Sequence, residues 1–159
     1  MEHYYSEKQS SQLNLKKIRE TIRGFDFEFF TASGIFSKDK IDKGTLILAE
    51  NMLVNKNEKV LDIGCGIGIL GIVAAKLFNA KIVMSDVNQR AVMLAKMNSK
   101  LHNLDSQVFQ GNLYEKIKDR DFEVILSNPP QTAGKNVCFQ LIEQSKTYLK
   151  KNGRLQLVA

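Results

Sequence analysis

From Lys59 onward, short apolar segments typical of strands alternate with longer segments that have the periodicity of helices. Strands are predicted at residues 59–64, 81–86, 106–110, 122–127 and 154–159, with helices between them at about 67–78, 88–102 and 136–151. A helix between successive strands carries the chain back across the sheet, so that neighbouring strands run parallel. The alternation therefore predicts an α/β fold with a doubly wound, mostly parallel sheet.

The residues before this sheet predict a β-hairpin and a short helix. Apolar and polar side chains alternate over residues 18–31 on either side of Gly24, which is typical of two strands joined by a tight turn. Thr45 is placed to cap an apolar helix over residues 46–53.

We expect residues 1–159 to form one domain, because 43% hydrophobic and 25% charged side chains over this length suit one globular unit. The hairpin and helix of residues 1–55 would extend a cofactor-binding sheet at 56–159. The sequence stops at Ala159, inside the predicted fifth strand. We therefore expect C-terminal strands of the sheet to be missing and the domain to be truncated at this end.

Composition and charge narrow the function classes. The longest apolar run, Ile67–Ala75, is far shorter than the ~18 residues of a membrane span, and the amino terminus has no apolar leader, so we expect a cytoplasmic protein. Cys65 and Cys138 do not have the spacing of a metal or redox pair. Residues 1–50 are balanced in charge, so the net +6 lies in the remainder, which suits binding to RNA or reflects solvated lysines.

The strongest motif is a predicted strand that runs into a glycine loop, over Val60–Gly68. Glycines let the backbone turn tightly and approach a ligand, and the following helix directs its first amides toward that ligand. The spacing is G-x-G-x-G, whereas dinucleotide enzymes use G-x-G-x-x-G. Asp62 precedes the first glycine by two residues, and a buried carboxylate there suits a cationic or amine-bearing ligand.

Two further motifs follow predicted strands. Asp86 ends the strand at 81–86, where an acid accepts hydrogen bonds from both ribose hydroxyls of a nucleoside; it could also cap the next helix near Asn88. Asn128-Pro129-Pro130 ends the strand at 122–127, and the prolines fix the backbone so that the Asn128 carboxamide and the Pro129 carbonyl present two acceptors. Two fixed acceptors suit an exocyclic NH₂ group.

The run Asp62–Gly68, Asp86 and Asn128–Pro130, in this order and spacing, resembles the class I S-adenosylmethionine-dependent methyltransferases, whose fold is Rossmann-like. Residues 31–37 and Asp42-Lys43-Gly44-Thr45 resemble the "methyltransferase small" group, which includes bacterial 16S rRNA guanine-N2 methyltransferases and archaeal single-domain relatives. The archaeal branch is the most similar in appearance.

The resemblance implies a role for each matching position. Asp62 would reach the amino end of S-adenosyl-L-methionine, and Asp86 would hold its ribose. Asn128, Pro129 and Pro130 match the loop that binds the target amine, so they are the candidate catalytic residues. The other candidate cofactor-binding residues are Phe36, Gly64, Cys65, Gly66, Gly68, Val87, Asn112 and again Asn128.

The implied function is methyl transfer to an exocyclic amine of a nucleic-acid base, with guanine N2 of rRNA as the first candidate. RNA is then the expected partner, no metal is expected, and the protein would be a monomer or a homodimer. Methylation of protein glutamine N5 or of DNA adenine N6 stays open, as does a non-catalytic RNA-binding or assembly module. A nicotinamide-dependent oxidoreductase is disfavoured by the G-x-G-x-G spacing.

Overall fold

The structure, a computed structural model, describes residues 14–33, 35, 40–129 and 134–158. Its elements, in chain order, are β1 Lys16–Ile22, β2 Phe25–Thr31, α1 Lys43–Asn51, β3 Lys59–Ile63, α2 Ile69–Phe78, β4 Lys81–Asp86, α3 Gln89–Leu101, β5 Gln107–Gln110, β6 Phe122–Ser127, α4 Gly134–Tyr148 and β7 Leu149–Leu157. The predicted alternation of strands and helices after Lys59 is confirmed.

Within the described residues, five strands form one sheet in the order β5-β4-β3-β6-β7, and every neighbouring pair is parallel. The chain starts in the middle with β3, extends to one edge through β4 and β5, and returns to the other side of β3 with β6. This order is that of a doubly wound, Rossmann-like sheet, and it creates a crevice between β3 and β6 at their carboxyl ends.

Apolar side chains fill both faces of this sheet. On one face, Val60, Met84 and Leu126 lie in a core that includes the apolar side chains of α2. On the other face, Leu61 and Ile125 lie in a second core, which includes side chains of α4. No helix within the described ranges has the length and apolar character needed to cross a membrane.

The predicted hairpin is present, and it packs on α3. Strands β1 and β2 pair antiparallel, and their turn is Arg23-Gly24 with φ of 52° and 83°. Both turn residues have positive φ, which is the requirement of a type I′ turn and fits the right-handed twist of a hairpin. Phe27 and Phe29 are buried, with ring centroids 5.9 and 5.3 Å from that of His102 at the end of α3.

Helix α1 begins earlier than the sequence predicts and has a different cap. The Asp42 side chain accepts hydrogen bonds from the backbone N–H groups of Gly44 and Thr45. Both Asp and Thr are good N-cap residues, and Asp42 takes the position because the helix includes residues 43–45. The predicted cap, Thr45, therefore lies inside the first turn, where its hydroxyl is available for a different contact.

The predicted boundary between the last helix and the last strand is wrong. Helix α4 ends at Tyr148, and β7 begins at Leu149, ahead of Asn152-Gly153, the pair that directly follows the helix predicted over residues 136–151. Leu149 pairs with Phe122 and Arg154 pairs with Val124, so residues 150–153 form a bulge in β7. Asn152 has φ of 67°, a conformation that a bulge uses as readily as a helix end does.

Candidate active site

Three motifs meet at the carboxyl end of the sheet. Gly64 follows β3, Asp86 ends β4 and Asn128 follows β6, and these three strands are neighbours. The position is the switch point of a doubly wound sheet, where such folds bind their ligands. The sequence placed each motif at the end of a predicted strand, and the strand order brings the three strand ends together.

The glycine loop between β3 and α2 turns in a way that needs glycine. Gly64, Gly66 and Gly68 all have positive φ, of 69°, 57° and 95°. The backbone N–H groups of Gly64 and Cys65 both donate to the Ser85 carbonyl, at 2.8 and 3.0 Å, and tie the loop to β4. Since side chains at positive φ are strained, the spacing of the glycines fixes the shape of the loop.

Asp62 lies buried beneath this loop. Its Oδ2 accepts a hydrogen bond from the Gly71 N–H at 3.1 Å, whereas its Oδ1 is buried without a hydrogen-bond partner among the described residues. The pKa of Asp62 is raised to about 7, because burial and, to a smaller extent, the charge of Asp86 raise it by more than the Gly71 hydrogen bond lowers it. A buried acceptor with an unused oxygen is a site for a cationic donor.

Asp86 joins the glycine loop to α3. Its Oδ2 accepts from the Gly66 N–H and its Oδ1 from the Asn88 N–H, each at 2.8 Å. Asn88 itself caps α3 by accepting from the Ala91 N–H at 3.0 Å. The helix cap is thus Asn88, and the Asp86 carboxylate lies at the end of β4, beside the glycine loop.

Two pockets meet at Gly64. The hairpin-side pocket is open to solvent and is lined by residues that include Ile18, Thr31, Ile41, Cys65, Leu70 and Asn128. The α4-side pocket is lined by residues that include Asp86, Val87, Leu113, Pro129, Val137 and Leu141. Most of these side chains are apolar.

Some of the predicted site residues line these pockets and others do not. Val87 and Pro129 line the α4-side pocket, whereas Asn112 is exposed and its backbone N–H donates to Glu115. Burial raises the pKa of the Cys65 thiol well above its ordinary value, and the charges of Asp86 and Asp62 raise it as well. This cysteine is therefore a packing residue and not a nucleophile. Two candidates, Phe36 and Pro130, lie outside the described residues.

Asn128 is held by the start of α1. Its side-chain amide donates to Asp42 Oδ2 at 2.8 Å and to Thr45 Oγ1 at 2.9 Å. Behind it, the Ser127 hydroxyl donates to the Ile63 carbonyl at 2.7 Å and joins β6 to the end of β3. Within the described part of the chain, no group of His, Cys, Asp and Glu side chains could hold a metal ion.

Comparison with known protein families identifies the family to which the chain belongs. Residues 26–159 match the family model "Methyltransferase small domain". The chain belongs to this family of class I methyltransferases. The match begins in β2 and includes every element from there to the end of the sheet, so the hairpin strand and the crevice fall within one family pattern.

Relatives of this methyltransferase domain are found in bacteria. The uncharacterized protein YbxB of Bacillus subtilis (strain 168) is 37% identical over 99% of this chain and 80% of its own length. The ribosomal RNA small subunit methyltransferase C of Psychromonas ingrahamii is 32% identical over 87% of this chain. That alignment spans 41% of the relative, so the chain covers less than half the length of that enzyme.

A solved structure has the same fold. The 16S rRNA N2 G1207 methyltransferase of T. thermophilus, in complex with AdoMet and guanosine, matches with a TM-score of 0.84 at 23% identity. The match covers 94% of this methyltransferase and 43% of that chain. The Rossmann-like fold predicted from the alternating strands and helices is therefore shared with a class I methyltransferase.

Sequence reasoning missed the contacts by which three residues shape the site, although Asp42 and Thr45 belong to the segment that resembles the family. Asp42 and Thr45 contact Asn128, and Asn98 of α3 donates to the Ile67 carbonyl in the glycine loop at 2.9 Å. An aspartate three residues before a threonine at a helix start was a visible capping signal for Asp42. Asn98 gives no local signal, because an asparagine inside a helix is ordinarily a solvent-facing residue.

Proposed function

We propose that this chain uses S-adenosyl-L-methionine to methylate an exocyclic amine of a nucleic-acid base, with guanine N2 of rRNA as the substrate. One observation carries the proposal. The Asn128 side chain lies at the edge of a crevice formed by a G-x-G-x-G loop, with its amide nitrogen already engaged by Asp42 and Thr45, so its oxygen is the group left for a substrate.

The crevice has the groups that the proposed cofactor needs. Asp62 supplies a buried acceptor for an ammonium group, directly or through a water, and Asp86 supplies a carboxylate for ribose hydroxyls. The apolar lining of the α4-side pocket, with Val87 and Pro129, suits an adenine ring, and the hairpin-side pocket suits the methionine part. The cofactor supplies an activated sulfonium methyl group.

The residues of the chain then align an acceptor amine. An aromatic NH₂ group has its lone pair delocalised into the ring, which makes it a poor nucleophile. Hydrogen bonds from its two N–H groups to Asn128 Oδ1 and the Pro129 carbonyl would favour a pyramidal nitrogen whose lone pair faces the methyl donor. Such alignment supplies most of the rate enhancement when the donor is already activated. A base within a duplex must first be flipped out or be presented unpaired.

The net charge and the sequence relatives support RNA as the substrate. The net charge of +6 favours a polyanion. Lys40 and Lys43, which flank Asp42 in sequence, are exposed, and Lys40 lines the hairpin-side pocket. Curated relatives are named as small-subunit rRNA methyltransferases, for example that of Serratia proteamaculans, which is 32% identical to this chain.

The test is methyl transfer from labelled S-adenosylmethionine to 16S rRNA transcribed in vitro, followed by analysis of the nucleosides. We expect N2-methylguanosine from the wild-type chain. The Asn128→Ala variant should bind S-adenosylhomocysteine normally and lose turnover by roughly a hundredfold, since it lacks one of the two acceptors that align the amine. Asn51→Ala is the matched control, because Asn51 is an exposed asparagine of α1 whose side chain donates only to the Ile47 carbonyl of its own helix.

Each other outcome replaces the proposal with a defined alternative. Methylation of adenine N6 in DNA or of a protein glutamine, with unmodified rRNA, would keep the mechanism and change the substrate. Unchanged turnover in Asn128→Ala would remove Asn128 from the chemistry. Binding of RNA and of S-adenosylhomocysteine with no methylation of any of these substrates would indicate a non-catalytic module.

A further inference from the structure

The Asn128 side-chain amide has two hydrogen-bond partners from a single helix start. Its Nδ2 lies 2.8 Å from Asp42 Oδ2 and 2.9 Å from Thr45 Oγ1. The NH₂ group of an asparagine has two N–H donors, so these two contacts use both of them. The same Asp42 Oδ2 also accepts from the backbone N–H groups of Gly44 and Thr45, at 3.0 and 3.4 Å, which fixes the carboxylate in place.

This arrangement determines which way the carboxamide faces. The oxygen and nitrogen of an asparagine are interchangeable in shape, and only their neighbours distinguish the two orientations. Rotating the Asn128 amide by 180° would place its oxygen 2.8 Å from the Asp42 carboxylate, where two acceptors repel each other. The carboxylate therefore selects the orientation in which Asn128 Oδ1 has no hydrogen-bond partner among the described residues and is left to accept from a substrate.

Gly44 leaves the space that this contact needs. A Cβ added at Gly44 would lie 3.1 Å from Asn128 Nδ2, 3.2 Å from Asn128 Oδ1 and 3.1 Å from Asp42 Oδ2. These distances are shorter than ordinary contacts of a Cβ, so a side chain at position 44 would displace the Asn128 carboxamide. One short sequence, Asp42-Lys43-Gly44-Thr45, thus supplies a carboxylate, a gap and a hydroxyl to the same side chain.

We propose that Asp42 and Thr45 are positioning residues that set the orientation of the Asn128 carboxamide, so that its oxygen faces the acceptor amine. The proposal rests on the proposed function and adds to it a specificity rule. A site whose acceptor cannot become a donor accepts substrates that present an N–H group and disfavours those that present a carbonyl or a ring nitrogen without hydrogen. The nearby carboxylate also polarises the amide and strengthens its oxygen as an acceptor.

The test uses the near-isosteric variant Thr45→Val, which removes the hydroxyl and leaves the Asp42 cap intact. We expect kcat for methylation of the 16S rRNA transcript to fall roughly tenfold, with the affinity for S-adenosylhomocysteine and the KM for RNA little changed. Thr45→Ser should restore most of the activity, because it restores the acceptor oxygen. The matched control is Thr21→Val, since Thr21 is an exposed threonine that donates to Asp26 on the hairpin.

A second readout does not depend on turnover. The side-chain NH₂ signal of Asn128 is identified in a ¹H–¹⁵N NMR spectrum by its absence from Asn128→Ala. We expect both Thr45→Val and Asp42→Asn to shift this signal, and Thr21→Val to leave it in place. If the wild-type chain does not methylate the transcript, the proposed function fails, while the NMR signal still decides whether Asp42 and Thr45 hold Asn128.

Three results would overturn the inference. The first is an Asn128 side-chain signal that is the same in the wild type, Thr45→Val and Asp42→Asn. The second is a Thr45→Val variant that methylates the transcript with the wild-type kcat. A loss of kcat in Thr45→Val that Thr45→Ser does not restore would also contradict it, because the loss would then follow from packing and not from the hydroxyl.

Discussion

Asn98 and Phe30 are joined by a reciprocal pair of hydrogen bonds, although 68 residues separate them. The Phe30 N–H donates to Asn98 Oδ1 at 2.6 Å, and Asn98 Nδ2 donates back to the Phe30 carbonyl at 3.0 Å. Asn98 Nδ2 also donates to the Ile67 carbonyl at 2.9 Å. One fully buried side chain of α3 therefore connects the hairpin to the glycine loop, the two walls of the hairpin-side pocket.

Replacing Asn98 should lower both the free energy of unfolding and the affinity for S-adenosylhomocysteine. Asn98→Ala leaves two carbonyl groups and one N–H group without their partners in a buried place, which costs about 2–4 kcal/mol of the free energy of unfolding. Affinity for S-adenosylhomocysteine should fall as well, because Ile67 and the hairpin line its pocket. Urea unfolding and calorimetric titration measure the two effects. Asn51→Ala, as the control, should change neither, and a loss of stability with full affinity would show that the hairpin is not needed for binding.

The buried Asp62 should make the stability of the protein depend on pH. Burial raises its pKa from 3.8 to about 7, so the folded protein keeps a proton that the unfolded chain releases over this range. The free energy of unfolding attributable to Asp62 therefore decreases as pH rises from about 4 to about 7, and is constant outside that range. Asp62→Asn, which keeps the acceptor for Gly71, removes this dependence.

The Asp62→Asn variant should become more stable relative to the wild type as pH rises. The stability of Asp62→Asn relative to the wild type should increase by roughly 2 kcal/mol or more between about pH 4 and pH 8. Urea unfolding at these two pH values measures the difference. Parallel pH profiles of the two proteins would mean that Asp62 titrates near its ordinary pKa in the folded state.

Gly153 should be intolerant of any side chain, because the bulge of β7 closes tightly around it. A Cβ there would lie 2.8 Å from the Lys150 carbonyl oxygen and 3.0 Å from the Phe122 carbonyl oxygen, and backbone atoms have little freedom to move away. We expect Gly153→Ala to lower the free energy of unfolding by about 1–3 kcal/mol in thermal or urea unfolding. Lys151→Ala, an exposed position in the same bulge, is the control; equal stability of the two variants would show that the bulge is looser than the contacts indicate.

The sequence was sufficient for the architecture because its signals are local. Apolar strands between helices predicted the parallel sheet, alternation around Gly24 predicted the hairpin, and strand ends at Gly64, Asp86 and Asn128 predicted the crevice. The end of α4 was misplaced because Asn152-Gly153 is compatible with a helix end and with a bulge alike. The choice between them depends on pairing with Phe122, which no local pattern contains.

The finer parts of the site could not be predicted, since they depend on long-range contacts. Asp42 and Asn128 lie 86 residues apart, and their contact depends on the tertiary fold, which brings the start of α1 to the residue that follows β6. Thr45 was interpreted as a cap because threonine at a helix start is typical of one, whereas the structure gives that role to Asp42 and directs Thr45 to the site.

The most direct test of the account is a calorimetric titration of the purified chain with S-adenosylhomocysteine, with NAD as the control ligand. The glycine loop, Asp62 and Asp86 predict that S-adenosylhomocysteine binds at one site per chain and that NAD does not bind. Binding of NAD alone, or no binding of either ligand to a folded chain, would contradict the assignment of the crevice to S-adenosylmethionine.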